Sequence, residues 1–238
     1  IKASMIKTFS SLVNQDIIDK YEFKEWKNLV FTLSFLHSLV LERRKYGPLG
    51  WCVKYDFDNS DLESSILFVD KQYQKELEHN DKQPPANMIN FKTLVNVVST
   101  ILYGGRIIDG KDGQLFKTII SSYLDENKPF NFVFYPGPND KEGKKMSEKE
   151  SYKIPDETCI QINHYIEHIK NFSDIDPPGV FGLHGSADLT FRLKEFYEFI
   201  DCIQSTVPSD GAGSGVSKEE DVKGKIQDFL STLPNDFI

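Results

Sequence analysis

The residues best suited to chemistry are His164, Glu167 and His168, which form the pattern H-x-x-E-H on a predicted helix. Residues four apart lie one helical turn apart, so the two histidines could share a zinc ion with Glu167 as a base. The alternative is a polar stripe beside an apolar helix face made by Ile162, Tyr165, Ile166 and Ile169. Short patterns often arise by chance and no third ligand is evident, so the stripe is the favoured interpretation.

The sequence motifs typical of nucleotide binding and of nucleophilic catalysis are also absent or incomplete. The sequence contains no G-x-x-x-x-G-K-[ST] loop, and the glycine tract 211–215 follows Pro208 rather than a strand, which is typical of a linker. Ser186 lacks the leading half of a G-x-S-x-G nucleophile turn. We therefore predict no catalytic residue, no cofactor-binding residue and no metal ligand in this chain.

Composition excludes several classes of function. The 238 residues carry a formal net charge of -8, which argues against nucleic-acid binding and against charge-driven binding to anionic membranes. No long uncharged apolar run predicts a transmembrane helix. Three widely spaced cysteines, Cys52, Cys159 and Cys202, indicate neither a disulfide framework nor a cysteine zinc site. Their apolar surroundings predict core positions in a protein from a reducing compartment.

Hydrophobic periodicity predicts a mainly α fold with one small β-hairpin. The strongest helix covers 23–46, where apolar residues recur every three or four positions until Gly47-Pro48 ends it. The other predicted helices cover 3–15, 59–79, 90–103, 158–172 and 218–233. Two more helices are predicted to start near Leu115 and at Asp188 or Thr190. Strands are predicted over 130–135 and 151–155, and polar loops over 80–88, 140–150 and 208–217.

A few residues have individual structural predictions. We expect His37 to be a core histidine of the long helix, and Asn59 or Ser60 to cap the next helix together with Glu63. Gly104-Gly105 is predicted to stop a helix with positive φ angles, and Arg106 to have a structural role. The run Asp109–Gly113 is predicted to be turn-like.

Four segments in order resemble dynein heavy chains, and the stretch 2–10 resembles the sequence that precedes them in that family. They are 35–51 (FLHSLVLERRKYGPLGW), 55–62 (YDFDNSDL), 103–109 (YGGRIID) and 180–189 (VFGLHGSADL). Their joint occurrence covers nearly the whole chain. One departure is 110–114, where many members carry a Trp-Asp-Arg-Arg run and this sequence has Gly-Lys-Asp-Gly-Gln.

The resemblance implies the helical lid subdomain of the sixth AAA+ module, cut from a much longer chain. Residues 1–20 would end the preceding large subdomain or linking helix, 21–207 would form the lid, 208–217 a flexible linker, and 218–238 the first helix of the C-terminal region. Such a lid is a rigid block with an apolar surface patch that neighbours cover, and the helix 23–46 and the Trp51 turn would be its internal spine.

The implied function is a structural, non-catalytic part of an ATP-driven microtubule motor, with ATP and Mg bound only elsewhere in the parent. Partners would be neighbouring AAA+ modules and the C-terminal domain of the same heavy chain, and the parent would bind microtubules and other dynein chains. Neither nucleic acid nor membrane is an expected partner. The expected location is cytoskeletal, in an axoneme of a cilium or flagellum. The alternatives are a zinc-dependent hydrolase built on the H-x-x-E-H helix and a free-standing helical adaptor.

Overall fold

The computed structural model describes residues 1–79, 89–124, 133–135, 152–155, 159, 161–206 and 223. The chain divides into two compact units, Ile1–Leu193 and Lys194–Ile238. The predicted loops 80–88, 140–150 and 208–217 and the predicted helix 218–233 lie outside the described residues, apart from Lys223. The predicted domain limits at 20, 207 and 217 stay predictions.

The predicted mainly α fold is confirmed. The helices are α1 (Lys2–Ser11), α2 (Gln15–Ile18), α3 (Lys24–Arg43), α4 (Asn59–His79), α5 (Phe91–Val97), α6 (Gly110–Tyr123), α7 (Ile162–Lys170) and α8 (Ser186–Thr206). The predicted strands are present as β1 (Val133–Tyr135) and β2 (Tyr152–Lys153), which pair antiparallel with an irregular register. Among the helices that the structure describes, none combines the length and apolar character needed to span a lipid bilayer.

Helix α3 is the internal spine of the first unit, as the sequence predicts. Every residue from 28 to 40 is buried, because apolar side chains on all sides of the helix pack against surrounding elements. Trp26, near its start, is fully buried, and its indole N–H donates to the Ile17 carbonyl at 2.7 Å. The helix gives way at Arg44 to a 3-10 segment, Arg44–Leu49, in which Gly47 has a φ of 56°.

The other helices of the first unit pack around α3. Helix α1 lies against both α3 and α7, and the Phe9 ring stacks on the Tyr165 ring at 5.7 Å and contacts Phe31 at the same distance. Helices α4 and α6 also contact α3. The Trp51 ring packs on Phe57 and Phe116, and thereby joins the turn after α3 to α6. Aromatic rings at these spacings stabilise a core beyond the area they bury.

Three predicted helix starts need correction. At α4 it is Asp58, not Asn59 or Ser60, whose carboxylate accepts the Ser60 N–H at 2.9 Å. The run from Asp109 is not a turn, because the Asp109 side chain accepts the N–H groups of residues 111 and 112 and starts α6 at Gly110. Helix α8 begins at Ser186, upstream of the predicted caps at Asp188 and Thr190.

Helix ends also differ from the prediction. Helix α7 occupies Ile162–Lys170, which is shorter than the predicted 158–172. The Gly104-Gly105 pair forms a 3-10 turn over Gly104–Arg106, and neither glycine has a positive φ. The reason for glycine at 104 is space, since a Cβ there would lie 1.9 Å from the Ser99 carbonyl oxygen. A Cβ added at Gly105 would have no neighbouring atom within 4 Å.

Candidate functional site

The four sequence segments that carry the family resemblance converge in the first unit. We call the side chains and backbone groups that join them the motif junction, and its members are Arg43, Gly50, Asp58, Asp61, Tyr103, Arg106, Asp112 and Phe181. The junction links the end of α3, the start of α4, the turn before α6 and the turn before α8. The contacts of its members therefore decide whether the segments form a reactive site or a structural one.

Arg43 holds two of these segments together. The side chain is buried, its Nε donates to the Gly50 carbonyl at 2.7 Å, and its Nη1 donates to the Phe181 carbonyl. The guanidinium lies 5.3 Å from the centre of the Trp51 ring, a cation–π distance. Burial lowers the pKa of Arg43 to about 10, with Asp112 acting in the opposite direction, so the group stays charged at neutral pH. Its donors point at backbone carbonyls and not at an open cleft.

Arg106 fixes the start of α4, which confirms its predicted structural role. Its Nε donates to Asp61 and its Nη2 to Asp58, both at 2.9 Å, and Nη1 donates to the Asp56 carbonyl at 2.9 Å. Asp61 is buried, so its charge needs such a partner. The pKa of Asp58 is lowered, first by the hydrogen bond from the Ser60 hydroxyl and then by Arg106.

Asp112 is a second buried anchor, for which the sequence pattern predicts no role. Its carboxylate accepts the Cys52 N–H at 2.9 Å and the Tyr55 hydroxyl at 2.9 Å. Burial alone would raise the pKa of Asp112, but the hydrogen bonds from Cys52 and Tyr55 bring it below its ordinary value. Asp112 lies within the departing run 110–114 and ties α6 to the segment after Trp51.

One cluster has the composition of a metal site. Within the described parts of the chain, one group of three histidine, cysteine or acidic side chains brings its ligand atoms within 4.8 Å of one another. Its members are Cys52, Asp109 and Asp112. Both carboxylates already accept hydrogen bonds from the protein, Asp109 from the first turn of α6. The hydrogen bond to Asp112 raises the pKa of the Cys52 thiol, which opposes the thiolate that a metal requires. The absence of a metal ligand in this chain stays a prediction.

The H-x-x-E-H residues do not converge on a site. His164 and Glu167 are exposed on α7, whereas His168 lies between the rings of Phe31 and Phe172 at 6.0 and 5.5 Å. His168 Nε2 is 2.9 Å from the Lys153 carbonyl, which can only accept, so this nitrogen carries the proton and is not available to a metal. The arrangement favours the polar-stripe interpretation.

Ser186 does meet a histidine, though not in a catalytic arrangement. His184 Nδ1 is 2.9 Å from the Ser186 hydroxyl and also receives the Ser186 backbone N–H at 3.2 Å. Both contacts belong to the first turn of α8.

The prediction that the cysteines fill the core is wrong, because Cys52 and Cys202 are exposed and Cys159 is partly buried.

His37 is the core histidine that the sequence predicts. It is 1% exposed, and its Nδ1 lies 2.9 Å from the Tyr103 hydroxyl, which joins α3 to the turn at Gly104. Burial lowers the pKa of His37, while Asp61 acts in the opposite direction. Burial likewise raises the pKa of Tyr103 well above its ordinary value, so the contact joins two neutral groups.

We expect His37 to make the fold sensitive to mild acid. Because its pKa is lower in the folded chain than in the unfolded chain, unfolding takes up a proton below about pH 6.5, and stability falls by up to ~1.4 kcal/mol per pH unit as the pH decreases to the folded pKa. Denaturant unfolding at pH 7.5, 6.5 and 5.5 measures this slope. In the variant His37→Asn, which retains a polar group near Nδ1, the slope over this window should be shallower, and equal slopes would exclude His37 as its source.

Apolar side chains remain on the surface of the first unit. Large examples are Leu49, Val53, Leu67, Ile101, Ile108 and Ile175, and Ile108 is 82% exposed. Leu49 and Val53 flank the Trp51 turn, close to the motif junction in sequence. Surfaces of this kind often lie against a partner.

Comparisons with known proteins agree with this geometry. The family described as "Dynein heavy chain AAA lid domain" matches residues 26–187. "Dynein axonemal heavy chain 8" of Homo sapiens is 32% identical over 241 residues, which cover 100% of this chain and 5% of the relative. "Dynein gamma chain, flagellar outer arm" of Chlamydomonas reinhardtii is 34% identical over 235 residues, covering 98% of this chain and 5% of the relative. The chain thus spans about 5% of the length of the curated relatives it matches.

Proposed function

Because the chain belongs to the dynein heavy chain family, as an AAA lid domain, we propose that it is a structural, non-catalytic lid of the motor ring. The motif junction is the observation that supports this proposal. Arg43 and Arg106 donate to backbone carbonyls and to carboxylates, and Asp112 accepts from the Cys52 N–H and the Tyr55 hydroxyl, so the charged side chains of the junction join elements of the fold. A block fastened in this way can move as a unit when a ring changes shape.

The partners of the lid are the neighbouring AAA+ modules and the C-terminal domain of the same heavy chain. Support comes from the exposed apolar side chains Leu49, Val53 and Ile108, whose burial against a neighbour would stabilise the assembly. Microtubule binding, association with other dynein chains, and the use of ATP and Mg belong to the parent chain. The relatives are named as axonemal and flagellar proteins, so we place the parent in the axoneme of a cilium or flagellum.

An assay of ATP turnover tests the non-catalytic role. Purified chain incubated with Mg and ATP should release phosphate no faster than the same chain unfolded by heat, because its sequence contains no G-x-x-x-x-G-K-[ST] loop to hold the phosphates. Turnover that persists through purification and exceeds this control would contradict the proposal. If such turnover vanished in His164→Ala, the hydrolase alternative on α7 would replace it.

A further inference from the structure

The first unit has a cleft between α1 and the end of α3, beside the start of α4. Its volume is about 600 Å³, and α1 lines it from Ala3 to Ser11. Apart from Lys7, the α1 residues that line it are alanine, serine or threonine, whose short side chains leave the cleft open. Eight positions along a helix span about 12 Å, which is the reach of about four residues of extended chain. The cleft therefore has room for a peptide segment.

This cleft is positively charged, although the whole chain has a formal net charge of -8. Among the described residues that line it, Lys7, Arg44 and Lys45 are cations and Glu42 is the one carboxylate. Glu42 forms an ion pair with Lys45, three positions further along the chain. We call the cleft with its three cations the cationic cleft. Its charge is opposite to that of the chain as a whole, so it favours a partner of negative charge.

Two of the three cations, Lys7 and Arg44, form no ion pair within the ranges that the structure describes. The Nε group of Arg44 donates to the Leu41 carbonyl, which carries no net charge. The residues three and four positions from Lys7 in α1 are alanine and serine, so no carboxylate on that helix face neutralises it. The helix dipole favours cations in the last turn, but Lys7 lies before the last turn of α1. A carboxylate from outside the described residues would account for a cation at this position.

We propose that the cationic cleft binds an acidic segment of a partner protein, which in the proposed lid is a neighbouring part of the same heavy chain. The inference rests on the proposed function for the identity of the partner, and on the cleft itself for its chemistry. Carboxylates of the segment pair with Lys7 on α1 and Arg44 after α3, so the segment joins these two elements. The length of the α1 wall matches an extended segment better than a single phosphate ion.

Calorimetric titration of the full chain with a hexaglutamate peptide, blocked at both ends, tests the chemistry of the cleft. At about 20 mM salt the peptide should bind, and binding should weaken as salt is raised to about 0.15 M, because the charges are exposed. The cleft variant Lys7→Gln, Arg44→Gln, Lys45→Gln should bind about tenfold more weakly, since it removes three exposed ion-pair partners. Should this variant fail to fold, Lys7→Gln alone, at an exposed position, should bind about threefold more weakly.

The matched control removes the same amount of charge elsewhere. Lys71 and Lys75 on α4 and Lys111 on α6 are exposed and do not line the cleft. The control variant Lys71→Gln, Lys75→Gln, Lys111→Gln should bind hexaglutamate within about twofold of the unaltered chain, because long-range charge effects are screened by salt.

Three results would overturn the proposal. The first is no binding of hexaglutamate by the unaltered chain, and the second is equal weakening in the cleft and control variants. The third is displacement of the peptide by inorganic phosphate at equal concentration, which would make the cleft a site for a small oxyanion. Loss of hexaglutamate binding would leave the expected lack of ATP turnover untouched, whereas ATP turnover would contradict the lid role without changing peptide binding.

Discussion

Replacing Gly104 with alanine should lower the free energy of unfolding by about 3 kcal/mol, the upper end of the usual cost of overpacking. An alanine Cβ at this position would lie 1.9 Å from the carbonyl oxygen of Ser99 and 2.5 Å from its carbonyl carbon. Both are backbone atoms, so no side chain can rotate away. The backbone of the Gly104–Arg106 turn must move, and Arg106 and Tyr103 would move with it.

The neighbouring glycine provides the control. At Gly105 an added Cβ meets nothing within 4 Å, and the backbone has no positive φ. Gly105→Ala should therefore leave stability unchanged or raise it by up to about 1 kcal/mol, because alanine restricts the unfolded chain. Guanidinium unfolding followed by circular dichroism measures both variants. Similar losses for the two substitutions would show that the turn depends on glycine flexibility and not on the close approach to Ser99.

The pattern of apolar residues was sufficient to predict α3 and most of the other helices of the first unit. A helix buried on all sides has so many apolar residues that its identity and burial can be read from composition and period together. Helix α6 shows the limit, because Gly110 and Gly113 suggest a turn by themselves. The helix starts there because the Asp109 side chain satisfies two free N–H groups, an interaction that propensity does not record.

Except for Asp112, the members of the motif junction were predictable as a set of residues, but their contacts were not. Arg43 lies at the end of α3, yet its second partner, Phe181, follows it by 138 positions in the sequence. Gly104 was recognised, but for a positive φ it does not have. In both cases the cause is an atom brought close by folding, and local sequence contains no signal for it. The prediction that Cys52 lies in the core was wrong for a different reason. An apolar sequence neighbourhood says little about which side of an extended segment faces the core.

Substitution of Arg43 is the test of the motif junction with the largest expected effect. We expect Arg43→Ala to lower the free energy of unfolding by about 3 kcal/mol, because it removes charge-assisted hydrogen bonds to two backbone carbonyls and leaves those carbonyls buried without the guanidinium. The contact with the Trp51 ring is lost as well. Arg43→Lys should recover only part of this loss, since a single ammonium group cannot reach both the Gly50 and the Phe181 carbonyls with the geometry of a planar fork.

Arg44, the next residue, separates this specific role from that of a cation at the end of α3. Its side chain is exposed and donates a local hydrogen bond to the Leu41 carbonyl at 3.2 Å. Arg44→Ala should change stability by no more than about 0.5 kcal/mol, as usual for surface substitutions. Chemical unfolding of the three variants under one set of conditions gives the comparison. If Arg43→Ala and Arg44→Ala were equally mild, the turn before α8 would be held by the packing of Phe181 alone, and the junction would not fasten the first unit. If Arg43→Ala alone is severe, the planar fork of the Arg43 guanidinium is what joins the end of α3 to a segment far along the chain.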